Sequence, residues 1–263
     1  MKNLNKLSIF SLMSVILLSS CETTELDLTV NPNALSPENA SADLFINGIQ
    51  EDFAYFVDDL GSVGSRLTRI RYMGGARLYN DTYSPSSFSG TWTNAYQGML
   101  EDIRLMNVLA EEAGLTYYIG MGQVMQAYIA MSLVDYFGDV PYSEALQGSD
   151  NLNPAADSGE SVYNAALSLL DAAIANFNQG GAAPQYDMYY GGNASKWIKA
   201  ANSIKKRAHL NMGDYAAYSA ITDYITDNAD DFQFQWGTNA IQPDTRSPIY
   251  RSNYTNTGSS DYK

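Results

Sequence analysis

Side chains able to do covalent or metal chemistry are few in this sequence, and those present do not assemble. His209 is the one histidine. It falls beside Lys205, Lys206 and Arg207 in an amphipathic pattern, where a lone imidazole is ordinarily structural or solvated. Cys21 is the one cysteine, which excludes an intramolecular disulfide framework and any multi-Cys zinc or iron–sulfur site. The single histidine likewise excludes zinc sites that need two. No Ser/His/Asp or Cys/His set can be drawn. Gly74-Gly75 and Gly191-Gly192 lie in loop sequence without the strand–helix context of a phosphate cradle. No D-x-[DN]-x-[DN]-G calcium loop is present. Acidic residues are plentiful, but Glu101-Asp102 and Glu111-Glu112 read as solvated helix faces. Asp135 and Asp139 flank a helix end, where Asp139 is suited to holding backbone amides. A glycosidase carboxylate pair is not marked by counting alone. The expectation is a protein that is not an enzyme, with no catalytic residues, no metal and no cofactor.

Aromatic residues carry more information. The chain has 20 tyrosines, and Tyr72, Tyr79, Tyr83, Trp92 and Tyr96 gather around one loop. Tyr186, Tyr189 and Tyr190 gather around another. An aromatic face suits the C–H face of a sugar, with neighbouring Asn, Asp and Arg to bond its hydroxyls. Packing is the competing explanation, because Trp92 and Tyr96 also fit the apolar stripe of a helix.

The elements that must position these residues are helices. Ser41 precedes Leu44, Phe45, Ile49, Phe53, Phe56 and Leu60, whose three- and four-residue spacing predicts a capped amphipathic helix. Trp92, Tyr96, Met99, Ile103, Met106, Leu109 and Ala113 form a second stripe, ended by Gly114. Tyr117–Phe137 is apolar almost all round, with small Gly120, Gly122, Ala127 and Ala130, which predicts a buried helix stopped by Gly138 and Pro141. Asp157 with Glu160 resembles a capping box opening a helix through Val162, Ala166, Leu169, Ala173 and Phe177. Further helices are expected over Ser195–Met212 and from Tyr215 to Asn228. From Asp230 to Lys263 the sequence reads as loops with short strands. The fold class is mainly all-α, with helical hairpins that resemble tetratricopeptide repeats, although no strict 34-residue period is present.

The first twenty residues form an address. Lys2 and Lys6 precede an apolar run from Leu7 to Leu18, too short for a membrane-spanning helix and right for a secretory signal. Leu18-Ser19-Ser20-Cys21 resembles the bacterial lipobox, so Cys21 is the expected lipidation site, and two or three acyl chains there would anchor the protein stably. Residues 21–41, rich in Pro and Asn, are expected to form the tether, and residues 42–263 the helical domain. With 29 acidic against 15 basic residues and a net charge of −14, a nucleic-acid partner is excluded, as is a polybasic grip on anionic lipid.

Several segments in order resemble the SusD/RagB family of nutrient-binding outer-membrane lipoproteins. They are the lipobox, Asn31-Pro32-Asn33, Trp92-x-x-x-Tyr96, and above all Val134-Asp135-Tyr136-Phe137-Gly138-Asp139-Val140-Pro141-Tyr142-Ser143-Glu144-Ala145. Glu160-Ser161-Val162-Tyr163 and Trp197-x-x-x-Ala201-Asn202-Ser203 follow. The resemblance implies a SusD-like helical protein lying as a lid over a SusC-like TonB-dependent transporter. It implies capture of a glycan or other oligomeric nutrient on the outer face of the outer membrane. It also implies that residues 42–263 are the N-terminal part of a longer family domain. Trp92, Asn94 and Tyr96 match the region where relatives place ligand contacts, and Tyr79 joins them as a candidate. The alternative is a helical scaffold lipoprotein that holds other proteins and binds no small nutrient.

Overall fold

Ser41 begins the first helix by accepting the Leu44 amide on its Oγ at 3.3 Å, which satisfies one of the donors that a helix start leaves unpaired. This helix, α1 (Ala42–Leu67), buries Ile46, Ile49, Phe53, Phe56 and Leu60. Leu44, expected on that face, is 50 % exposed, because the buried stripe passes through Ile46 instead. The computed structural model describes residues 41–71, 84–239 and 245–250, all in one compact unit that begins at Ser41. The leader, the tether with Cys21, and Tyr72, Tyr79 and Tyr83 lie outside the described residues.

Helix α2 (Ser89–Thr93) passes without a break through a π-helical stretch, Asn94–Leu100, into α3 (Glu101–Ala113). The expected single stripe does not survive this stretch. Each π turn holds an extra residue, so the inward face moves to Ala95, Met99, Leu100, Ile103, Met106 and Ala110. Trp92, Tyr96 and Leu109 are half-buried, and Ala113 is exposed. Gly114 ends α3 with φ +67°, a left-handed turn in which the Leu115 N–H donates to the Ala110 carbonyl at 2.8 Å.

Helix α4 (Thr116–Phe137) follows at once and is buried almost all round, as its composition predicts, until its last turn, where Asp135 and Tyr136 are exposed. Gly120 sits against the ring of Phe177, and Gly122 against Met106 and Ile103. Gly138, with φ +80°, ends it. A minimal antiparallel ladder then pairs β1 (Val140–Pro141) with β2 (Ala156–Asp157), with Val140 opposite Asp157.

Asp139 holds a backbone amide, accepting the Gly159 N–H at 3.0 Å where α5 (Gly159–Asn178) begins. Asp157 is not the cap of α5. Ser158 is, accepting the Ser161 amide at 3.3 Å. The Asp157 carboxylate turns instead to the amides of Tyr142 (3.0 Å) and Ser143 (2.8 Å) and to the Ser143 hydroxyl (2.7 Å). These bonds hold its pKa below the usual range and fasten the loop after β1. Helix α5 packs along α4 in the most extensive helix contact of the fold.

Asn193 caps α6 (Ala194–Asn211) by accepting the Lys196 amide. Helix α7 spans only Tyr215–Ala220, shorter than expected. The Lys206 ammonium takes the carbonyls of Tyr218 (2.8 Å) and Ile221 (3.1 Å) and lies over the rings of Tyr218 and Tyr224, so those carbonyls do not continue the helix. The described residues thus contain seven α-helices and one two-residue ladder. The fold is all-α, with tetratricopeptide-like helical hairpins.

Two buried polar side chains fix the loop between α5 and α6. The Asp187 carboxylate accepts the Trp197 indole N–H (2.8 Å), the Tyr117 hydroxyl (3.3 Å) and the amides of Tyr189, Tyr190 and Gly192. Gln50, fully buried in α1, donates from Nε2 to the carbonyls of Ile46 (3.1 Å) and Tyr186 (3.0 Å). Its Oε1 accepts the Met188 amide at 2.8 Å. Each hydrogen bond so made offsets a desolvation cost that an unpaired buried atom would bear in full.

Candidate functional site

The exposed flank of α1 forms a groove. One end is a polar cleft of about 440 Å³ lined by Tyr55, Asp58, Asp59, Ser62, Thr91 and Asn94, among others. Asp58 also lines the adjoining cavity, of about 800 Å³, which is walled by Tyr128, Tyr189, Arg207 and an extended strip of chain at 231–236. In that strip Phe232, Phe234 and Trp236 are half-buried, while Asp231, Gln233 and Gln235 are exposed. The alternation is what an extended chain laid on an apolar surface produces.

Aromatic edges and faces run along the groove. Trp236 meets Tyr55 edge-on at 5.2 Å and Phe234 at 4.7 Å, and Phe234 meets Tyr189 at 5.6 Å. Polar groups cluster at the other end. Thr91 donates to Asp59, and the Ser62 hydroxyl accepts from Arg71 at 3.3 Å. Burial, with the neighbouring charge of Asp59, raises the Asp58 carboxyl above the usual carboxylate range, against the pull of Arg71. The site thus offers donors, acceptors and flat apolar faces together, a combination suited to polyhydroxylated ligands.

The candidates from the sequence divide between two sides of one helix. Asn94 lies in the cleft, 3.5 Å from the Asp52 carbonyl. Trp92 and Tyr96 stack on each other at 5.3 Å with 11° between the rings, and Trp92 also leans on Phe137. The Tyr96 hydroxyl donates to the Pro141 carbonyl at 2.6 Å. Burial and the charge of Asp157 push its pKa up to about 12. Trp92 and Tyr96 therefore brace the segment after α4, and the groove gathers Asn94 and Tyr189 with residues the sequence reading did not single out, among them Tyr55, Asp58 and Trp236. Trp236 had a signal in Phe232-x-Phe234-x-Trp236. His209 lies in the last turn of α6, 3.5 Å from Asp214. Among the described residues no group of three or more His, Cys, Asp or Glu could hold a metal ion. No helix among them is long and apolar enough to cross a membrane.

A profile of the SusD-like family, described as starch-binding and associating with the outer membrane, matches residues 33–262. The chain belongs to the SusD-like family. No curated protein matches it. Solved structures similar to this SusD-like chain include a SusD/RagB family protein of Bacteroides thetaiotaomicron, with 24 % identity and a TM-score of 0.68 over 76 % of this chain and 46 % of that one. A SusD homologue of Bacteroides fragilis matches at 16 % identity and a TM-score of 0.59, over 82 % of this chain and 47 % of its own. A second homologue from that organism gives 22 % and 0.55, over 76 % and 45 %. At these identities the likeness establishes the fold. The SusD-like chain spans about half the length of these solved relatives.

Proposed function

We propose that this SusD-like chain serves a nutrient-binding subunit of the outer membrane that captures an oligosaccharide and hands it to a SusC-like TonB-dependent transporter. In this reading Cys21 carries the lipid anchor, the domain faces the cell exterior, and the protein binds without cutting. The family match over residues 33–262 is the observation that carries the proposal, and the chemistry of the groove supports it. Asn94 and Asp58 bond sugar hydroxyls, and Trp236 supplies a ring for stacking; Tyr79 is proposed as a further contact on the sequence resemblance alone. Trp92 and Tyr96 act beside Asn94, chiefly by holding its helix.

Calorimetric titration of the full chain with maltoheptaose tests this. Binding is expected, and Trp236→Ala should weaken it by about 3- to 10-fold, the value of one aromatic contact. Asn94→Ala should weaken it as well. Binding indifferent to both changes would overturn the assignment of the groove, and no binding of any glycan would favour the scaffold alternative.

A further inference from the structure

A second cleft opens on the other side of the α2–α3 segment, where the loop after β1 faces the first turns of α3. It has an inner part of about 310 Å³ and an outer part of about 750 Å³, and Tyr96, Arg104 and Leu146 line both. Arg104 and Glu101, one turn apart on α3, form a two-pronged pair on the wall of the cleft, Nε to Oε2 at 2.8 Å and Nη2 to Oε1 at 2.6 Å. The pair presents remaining guanidinium donors and carboxylate acceptors side by side. Gln97 and Gln147 line the outer part, and both are exposed.

Two observations mark this as more than a surface dent. Leu146 has φ +61°, a left-handed conformation that a leucine holds only when its surroundings enforce it. The loop that enforces it is tied at both ends. Asp157 grips the amides of Tyr142 and Ser143, and Glu144 accepts from the Asn151 side chain and the Ala155 amide, each at 3.1 Å.

We infer that this cleft is a second binding site, distinct from the groove on α1, for a neutral oligosaccharide. Neighbouring hydroxyls on a sugar ring present a donor and an acceptor a short step apart, which matches the Arg104–Glu101 pair. One face of Tyr96 is covered by Trp92, so the sugar meets Tyr96 from the cleft that it lines. The ligand is neutral because Arg104 already spends its charge on Glu101, while Asp150 and the net charge of −14 repel anions.

The test is backbone and Arg Nε NMR of the full chain, titrated with maltoheptaose and with cellohexaose as α- and β-linked probes. At least one sugar should shift Gln97, Arg104 and Leu146 in a saturable manner. Arg104→Ala and Arg104→Lys should both abolish those shifts, since lysine keeps the charge and loses the fork. Signals from Thr91 and Asn94 should still respond in both variants. Absence of cleft shifts with both sugars, or cleft shifts that survive Arg104→Ala, would overturn the inference. Cleft shifts with a silent α1 groove would uphold it while removing the groove from the proposed function.

Discussion

Replacing Gly120 by alanine tests how tightly α4 and α5 pack. A Cβ built on Gly120 comes within 3.0 Å of two carbons of the Phe177 ring and 3.3 Å of a third. That ring cannot step aside. It is 3 % exposed, stacks on Trp197 at 5.9 Å, and meets Tyr117 edge-on at 5.1 Å. Two effects oppose each other. Alanine gains about 1 kcal/mol over glycine in a helix interior. Overpacking a rigid core costs about 1–3 kcal/mol, and the immobile ring places this case near the top of that range. The net expectation is a loss of about 1–2 kcal/mol, or a fall in melting temperature of about 2–8 °C for a chain of this size. Gly61→Ala is the control, because Gly61 lies in α1 with nothing within 4 Å of a built Cβ. It should raise stability by about 0.4–1 kcal/mol. Thermal unfolding followed by circular dichroism measures both, and repeating Gly120→Ala in a Phe177→Leu background isolates the contact. If Gly120→Ala stabilises as Gly61→Ala does, or if its penalty is the same without the Phe177 ring, the close approach of α4 and α5 is wrong.

Two further outcomes are expected. Asp187→Asn keeps the shape but presents an NH₂ group to donors that need an acceptor, so it should cost about 2–4 kcal/mol. The near-UV signal of Trp197 should change with it, and an unaltered melting temperature would contradict the buried hub. Asp58→Asn concerns pH. Burial and Asp59 raise the folded-state pKa of Asp58 above its ordinary 3.8, so the native state holds that proton more tightly than the unfolded chain. The resulting stabilisation is complete below 3.8 and is lost as pH rises through the raised value, leaving a charged, disfavoured carboxylate at neutral pH. Asp58→Asn should therefore raise the melting temperature at neutral pH and lose that advantage toward acid. A constant difference across a pH series would reject the argument.

What the sequence disclosed was local. Ser41, Gly114 and Gly138 mark helix ends by their own conformational chemistry, and α4 announces its burial by having no polar face. Readings failed where a side chain answers to something distant. Asp157 looked like a cap, yet its carboxylate serves amides 14 and 15 residues earlier. Helix α7 stopped early because an ammonium from α6 claimed its carbonyls. Gln50 and Asp187 carried no signal at all, since a glutamine in an amphipathic helix and an aspartate in a loop are ordinary until the loop folds back 136 residues to meet α1. Half of the groove was hidden for a similar reason. Phe232-x-Phe234-x-Trp236 has the period of an extended chain but pairs with no strand among the described residues, whereas Asn94 stood out only through family resemblance.

The Gln50 clamp has a consequence for inheritance. All of its partners are main-chain atoms, those of Ile46, Tyr186 and Met188. It therefore grips the course of the loop and is blind to the side chains that the loop carries. Gln185 and Tyr186, both exposed, are free to drift through generations while the backbone beneath them keeps its path. Tyr189, whose hydroxyl donates to the Gln50 carbonyl at 3.2 Å, then stays where it walls the groove. A lineage can thus try new outward chemistry beside an old binding wall without first having to rebuild the wall.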